Sequence, residues 1–166
     1  MKIKDLTLIG MFASFMFVAT WIHIPINLGY ASMIHLGTAA LLISSVFLTP
    51  KQSFFAAAIG MSLFDLLDPT FIIWAPFTFI IKGSMAFVVS WWIHNHSAKI
   101  QNKIIAFAIG SLISVAGYYL AGSILLMDFR TPLTHIPSSL ITSSIGILIA
   151  LPIVTLLEKT KIKSFA

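Results

Sequence analysis

Residues 71–93 form an apolar run interrupted by one charge, Lys82, and five more apolar segments accompany it at residues 6–24, 31–48, 53–67, 104–127 and 140–157. A helix that crosses the hydrocarbon of a bilayer needs about 20 residues, within a range of about 17 to 25. Five of the six segments meet that length. Segment 53–67 is short, and the sequence leaves open whether it spans or enters only partway; removing one crossing would invert everything after it. With a mean hydropathy of +1.01 and 9% charged residues in a chain of 166, the protein is too apolar for a soluble domain and too short for more than one bundle. The expected fold is all-α, one six-helix transmembrane domain over residues 1–166.

Charge sets the orientation. Lys2, Lys4, Lys51, Lys99, Lys103, Lys159, Lys161 and Lys163 fall on one side of a six-crossing plan, leaving Arg130 and Lys82 out of the ten basic residues. Both termini are therefore expected in the cytoplasm of a cell-membrane protein, with Asp65, Asp68 and Asp128 on the outer side. That distribution also explains the net charge of +5, so nucleic acid is not an expected partner and membrane lipid is. Stretches IPINLGYAS, DLLDPT and DFRTPLTHIPSS carry the helix-breaking residues and are expected as outer loops. Pro76 and Pro152 lie within spanning segments, where proline kinks a helix and is tolerated. The absence of cysteine excludes disulfides and thiolate metal sites, and no cofactor or metal is expected. The basic stretch before the first apolar run resembles a signal peptide, but no small-x-small cleavage site follows, so it is expected as a retained helix.

The polar residues gather at one depth. His35 and Thr38 on helix 2, Asp65 at the end of helix 3, Trp74 at the start of helix 4, Tyr118 and Tyr119 on helix 5, and Ser138, Ser139 and Thr142 on helix 6 all fall in the outer half. Trp74, Thr78 and Lys82 are four apart and share a helix face, with Lys82 about 12 Å deeper than Trp74 at about 1.5 Å per residue. Lysine at the centre of a span costs roughly 2.5 to 3.5 kcal/mol and generally faces the bundle interior or a wet cavity. Aromatic walls, hydroxyls and one buried ammonium suit a small, ring-bearing, hydroxylated molecule. The inner half is apolar, which argues against a pore through this chain alone. Plainer roles stand beside this one: Lys82 as a structural partner of Asp65, the aromatic residues as an interfacial belt, and His35 and His135 as cap or loop residues. His94-Asn95-His96 lacks the zinc ligands and acidic partners of a nuclease site. In helix 1, Gly10 and Ser14, with Ala13 beside them, form a small-xxx-small pattern that admits a close helix partner from this chain or another.

Taken together, HLGTAALLISSVFLTPKQSFFAAAIGMSLFDLL and the following WAPFTFIIKGSMAF resemble the substrate-binding S components of energy-coupling factor (ECF) vitamin transporters. A glycine near the helix 2 entrance, an Asp closing helix 3 and a PxTxxxKG run in helix 4 carry the likeness, which extends to GILIALP in helix 6. The resemblance implies a six-helix bundle that captures a vitamin at the extracellular face and tips over while attached to a transmembrane coupling subunit and two cytoplasmic ATPases. It implies a contact with that subunit through Gly10, Ala13 and Ser14, and no ATP hydrolysis by this chain, which has no GxxxxGK[ST] loop. Thr38 stands where many relatives have Asp, and Ser139 where Asn is common, so the departures fall on substrate choice. Vitamin B6 or hydroxymethylpyrimidine is favoured over a larger flavin such as riboflavin. The competing classes are an intramembrane hydrolase built on Ser62, where Leu63 replaces the required Gly, and a scaffold that binds no ligand.

Overall fold

The computed structural model describes residues 2–27 and 31–160. In chain order the elements are α1 (Ile3–Trp21), β1 (His23–Asn27), β2 (Ala31–His35), α2 (Gly37–Phe47), α3 (Pro50–Leu67), α4 (Ala75–Asn95), α5 (Ile100–Leu126) and α6 (His135–Lys159). Short 3-10 turns, Ile72–Trp74 and Thr131–Thr134, lead into α4 and α6. Four stretches are long and apolar enough to cross a membrane: Ile3–Trp21, Ile72–Asn95, Ile100–Leu126 and Thr131–Lys159. The six helices form one bundle.

The short helix is α2, not α3. A Thr49–Gln52 capping box starts α3: the Gln52 backbone N–H donates to Thr49 Oγ1 at 3.4 Å, and the Thr49 N–H donates to Gln52 Oε1 at 3.0 Å. Pro50 occupies the first turn, where its missing N–H costs nothing. The helix so begun has 18 residues, about 27 Å of rise. By contrast α2 has 11 residues, about 16 Å, and every one of them is buried. Its missing length is supplied by the strands, which pair antiparallel from His23 opposite His35 to Asn27 opposite Ala31. The all-α six-helix bundle stands; within it, the loop expected after α1 and the helix expected from residue 31 are corrected by this hairpin.

Side-chain bonds fix which ends lie together. Gln52 donates to Asp5 at 3.0 Å, Ser90 donates to the Leu48 carbonyl at 2.6 Å, and Lys103 pairs with Glu158. The start of α1, the α2–α3 and α4–α5 turns and the end of α6 therefore share one end, as an even number of helices requires. Pro76 falls in the first turn of α4 rather than within it, so Pro152 is the proline that interrupts a helix.

At that end the core is hydrocarbon, with Leu8, Leu41, Leu42, Phe47, Met85, Val89, Phe107 and Val154 in one cluster. Its buried hydroxyls bond locally: Ser44 and Ser45 donate to the Ala40 and Leu41 carbonyls. Two glycines permit the tightest approaches. A Cβ on Gly60 would lie 2.3 Å from the Ala13 carbonyl oxygen, so α1 and α3 meet backbone to backbone. A Cβ on Gly37 would lie 2.1 Å from Thr20 Oγ1 and 2.9 Å from His35 Nδ1, which fixes glycine where the hairpin turns into α2.

Candidate ligand pocket

At the opposite end the bundle holds a cavity of about 580 Å³, measured to include its open mouth. One wall is the turn into α4 and α4 itself, which stack Trp74, Thr78 and Lys82 in descending order as their four-residue spacing dictates. Tyr118 and Ser114, one turn apart on α5, face them. Asp65 and Phe71 close one side, the first turns of α6 the other, and Met33 and His35 of β2 cover the space. Thr142 donates to the Met33 carbonyl at 3.3 Å and so ties the hairpin to α6.

Lys82 lies at the floor, 3% exposed. Its Nζ donates to Ser114 Oγ at 3.1 Å and to Thr38 Oγ1 at 3.4 Å, and it sits 5.3 Å from the centroid of the Tyr118 ring. An ammonium has three N–H donors, and these two bonds use two of them. Asp65 is 4% exposed and lines the same space, yet among the described residues no ion pair joins it to Lys82. The two thus face one pocket without an ion pair between them, Asp65 held by a hydrogen bond from Thr78. Tyr118 and Thr78 bond through their hydroxyls at 3.0 Å, which orients the phenol as a wall. Trp74 sits with its ring centroid 6.1 Å from Tyr118 and 5.6 Å from His135, both tilted.

The cavity gathers His35, Asp65, Trp74, Thr78, Lys82, Tyr118, Ser139 and Thr142. Thr38 lies one layer beneath it, fully buried, and reaches it only through Lys82. Tyr119 is corrected: one position round α5, it points away from the cavity and donates to the Phe129 carbonyl at 3.3 Å, bracing the α5–α6 connection. Sequence reasoning missed Ser114, Ser143 and the hairpin residue Met33, and set His135 aside as a cap or loop residue. The signal for Ser114 was present, four residues before Tyr118 on the same face; that for Met33 was not, because the hairpin was unforeseen. Ser62 lies outside the cavity with its hydroxyl on the Ala58 carbonyl at 2.6 Å, so no serine–histidine pair forms there.

On α1 the small residues divide. Gly10 and Ser14 are exposed, a Cβ on Gly10 would meet nothing within 4 Å, and Ser14 donates to the Gly10 carbonyl at 2.9 Å. Ala13 is turned inward on Gly60, which removes it from any outer contact.

A bundle closed by hydrocarbon at one end and opening a polar, aromatic-walled pocket at the other defines a membrane-embedded small-molecule-binding protein. Family comparison sharpens that class: residues 1–159 match the family described as "ECF-type riboflavin transporter, S component". The chain belongs to this family of S components, which are multi-pass proteins of the cytoplasmic membrane. A solved S component of a bacterial ECF transporter has the same fold, with a TM-score of 0.74 over 96% of this chain and 98% of its own at 18% identity. No curated protein matches the chain in sequence.

Proposed function

We propose that this chain captures a vitamin from the outer side of the membrane, and that the ligand is a compact hydroxylated heterocycle of the vitamin B6 or hydroxymethylpyrimidine kind. The observation that carries the reading is the Lys82 ammonium, buried at the floor of an open pocket with two of its three donors bonded to protein, and with Asp65 lining the same pocket but not ion-paired to it among the described residues. A ring with both an acceptor and a donor on its rim answers both groups and adds to the partial compensation that their protein hydrogen bonds supply. Trp74 already packs against both Tyr118 and His135, which supports a single ring laid across them rather than three fused rings inserted between them. Riboflavin is the second reading, favoured by the description of the family the chain matches.

Delivery to the cytoplasm falls to partners, a transmembrane coupling subunit and two ATPases. The outward Gly10 and Ser14 on α1, flanked by exposed Leu6, Met11, Phe15 and Val18, support a helix-docking face there.

The test is thermal stability of the purified, detergent-solubilised protein against a vitamin panel. A ligand at about 100 times its Kd stabilises by about 2.7 kcal/mol. Stabilisation by pyridoxine or hydroxymethylpyrimidine is the expected result. A response to riboflavin alone transfers the pocket to the flavin reading, and no response to any vitamin removes the capture function.

A further inference from the structure

A second concavity lies on the outer surface of the bundle, between the first turns of α3 and the inner half of α4, with a volume of about 640 Å³ counted to its open face. Lys51, Phe54, Phe55, Ser84, Phe87 and Val88 line it. Gly83 builds the floor: a Cβ there would lie 2.8 Å from the Phe54 ring, so only glycine lets that ring sink against α4. Phe55 and Phe79 then stand edge-on to it, with centroids 5.3 and 6.0 Å away and interplanar angles of 82° and 80°. The result is an aromatic trough at the depth of the acyl chains, unrelated to the vitamin pocket.

One end of the trough carries a charge. Lys51 is exposed in the first turn of α3, and among the described residues it has no ion-pair partner. Asp5, an acidic group at that end, is held by Gln52 and by the Lys2 backbone N–H at 2.9 Å, and does not line the trough. A cation at headgroup depth, opening into a hydrocarbon slot with no carboxylate in it, is complementary to an anion that bears a long apolar tail. The geometry points to an anionic phospholipid as the occupant, with its phosphate at Lys51 and one acyl chain in the trough between α3 and α4.

Native mass spectrometry of the full chain, delipidated and then offered phosphatidylglycerol or phosphatidylcholine with identical acyl chains, tests this. Wild type is expected to retain the anionic lipid about fivefold more than the zwitterionic one. Lys51→Gln is expected to abolish that preference, Lys51→Arg to keep it, and Val88→Trp, which fills the slot, to reduce retention of both lipids; unchanged thermal stability certifies that each variant is folded. Equal retention of the two lipids by wild type, or a preference that survives Lys51→Gln, overturns the assignment. So does a wild-type dimer that Val88→Trp converts to monomer without loss of lipid, which would make the trough a contact between copies.

Discussion

Replacing Lys82 by Met separates ligand recognition from folding. Methionine has nearly the length and volume of the lysine stem but no donors, so the substitution deletes the ammonium and leaves the packing against Tyr118 in place. The donors bonded to Ser114 and Thr38 serve the protein; on the proposed reading the third serves the ligand. Loss of one hydrogen bond to a charged group costs about 1.5 to 3 kcal/mol, which weakens binding about 10- to 150-fold. Stability should move the other way or not at all. A buried ammonium carries a desolvation cost that methionine lacks, and Ser114, inside a helix, can return its hydroxyl to the Gly110 carbonyl four residues back. Isothermal titration of wild type and Lys82→Met with the vitamin that stabilises wild type, beside thermal unfolding of both unliganded proteins, reads the two quantities. Unchanged affinity in a folded variant refutes the role given to the third donor, and a collapse of the unliganded protein would show that Lys82 is architectural instead.

Three further predictions concern other parts of the chain. Gly60→Ala drives a methyl into the Ala13 backbone and should destabilise the solubilised protein by about 1 to 3 kcal/mol, whereas Gly10→Ala, with open space around it, should leave the melting temperature unchanged; equal melting temperatures would mean that α1 and α3 do not meet at Gly60. Gly10→Leu or Ser14→Leu should preserve vitamin binding by the solitary chain and abolish ATP-dependent uptake by the assembled transporter, and intact uptake would clear α1 of the docking role. Asp128 accepts from the backbone N–H groups of Arg130 and Thr131 and from the Thr131 hydroxyl, bonds that hold its carboxyl down at about 2 from an ordinary 3.8. Its contribution is complete above the unfolded value and is lost as pH falls through the folded one, so Asp128→Asn should flatten the dependence of α5–α6 connection protection on pH between about 4 and 2, measured by hydrogen exchange. An unaltered profile would show that another group governs it.

Much of this architecture is legible in the residues because lipid is an undemanding solvent to predict: long uncharged runs must be helices, and lysines mark the inner turns. Burial of Lys82 and its shared face with Trp74 and Thr78 follow from spacing alone. The hairpin is where that logic fails. Pro25 and Gly29 look like helix breakers and nothing more, while pairing of His23 with His35 depends on a register that no periodicity over five-residue strands announces. Missing the hairpin displaced the start of α2 by six residues and hid Met33 from the pocket. Thr49-x-x-Gln52 was a readable start signal for α3, and using it would have given that helix its full 18 residues. Tyr119 differs for a simpler reason: adjacent residues on a helix point about 100° apart, and with Tyr118 on the cavity wall the next side chain is carried round to the Phe129 carbonyl.

The most direct measurement is an experimental structure of the purified chain with its vitamin bound. The account predicts a ring lying against Trp74 and Tyr118, with a polar atom within hydrogen-bond distance of Lys82 Nζ and another facing Asp65. A ligand seated elsewhere, or one that leaves the ammonium uncontacted beneath it, contradicts the account.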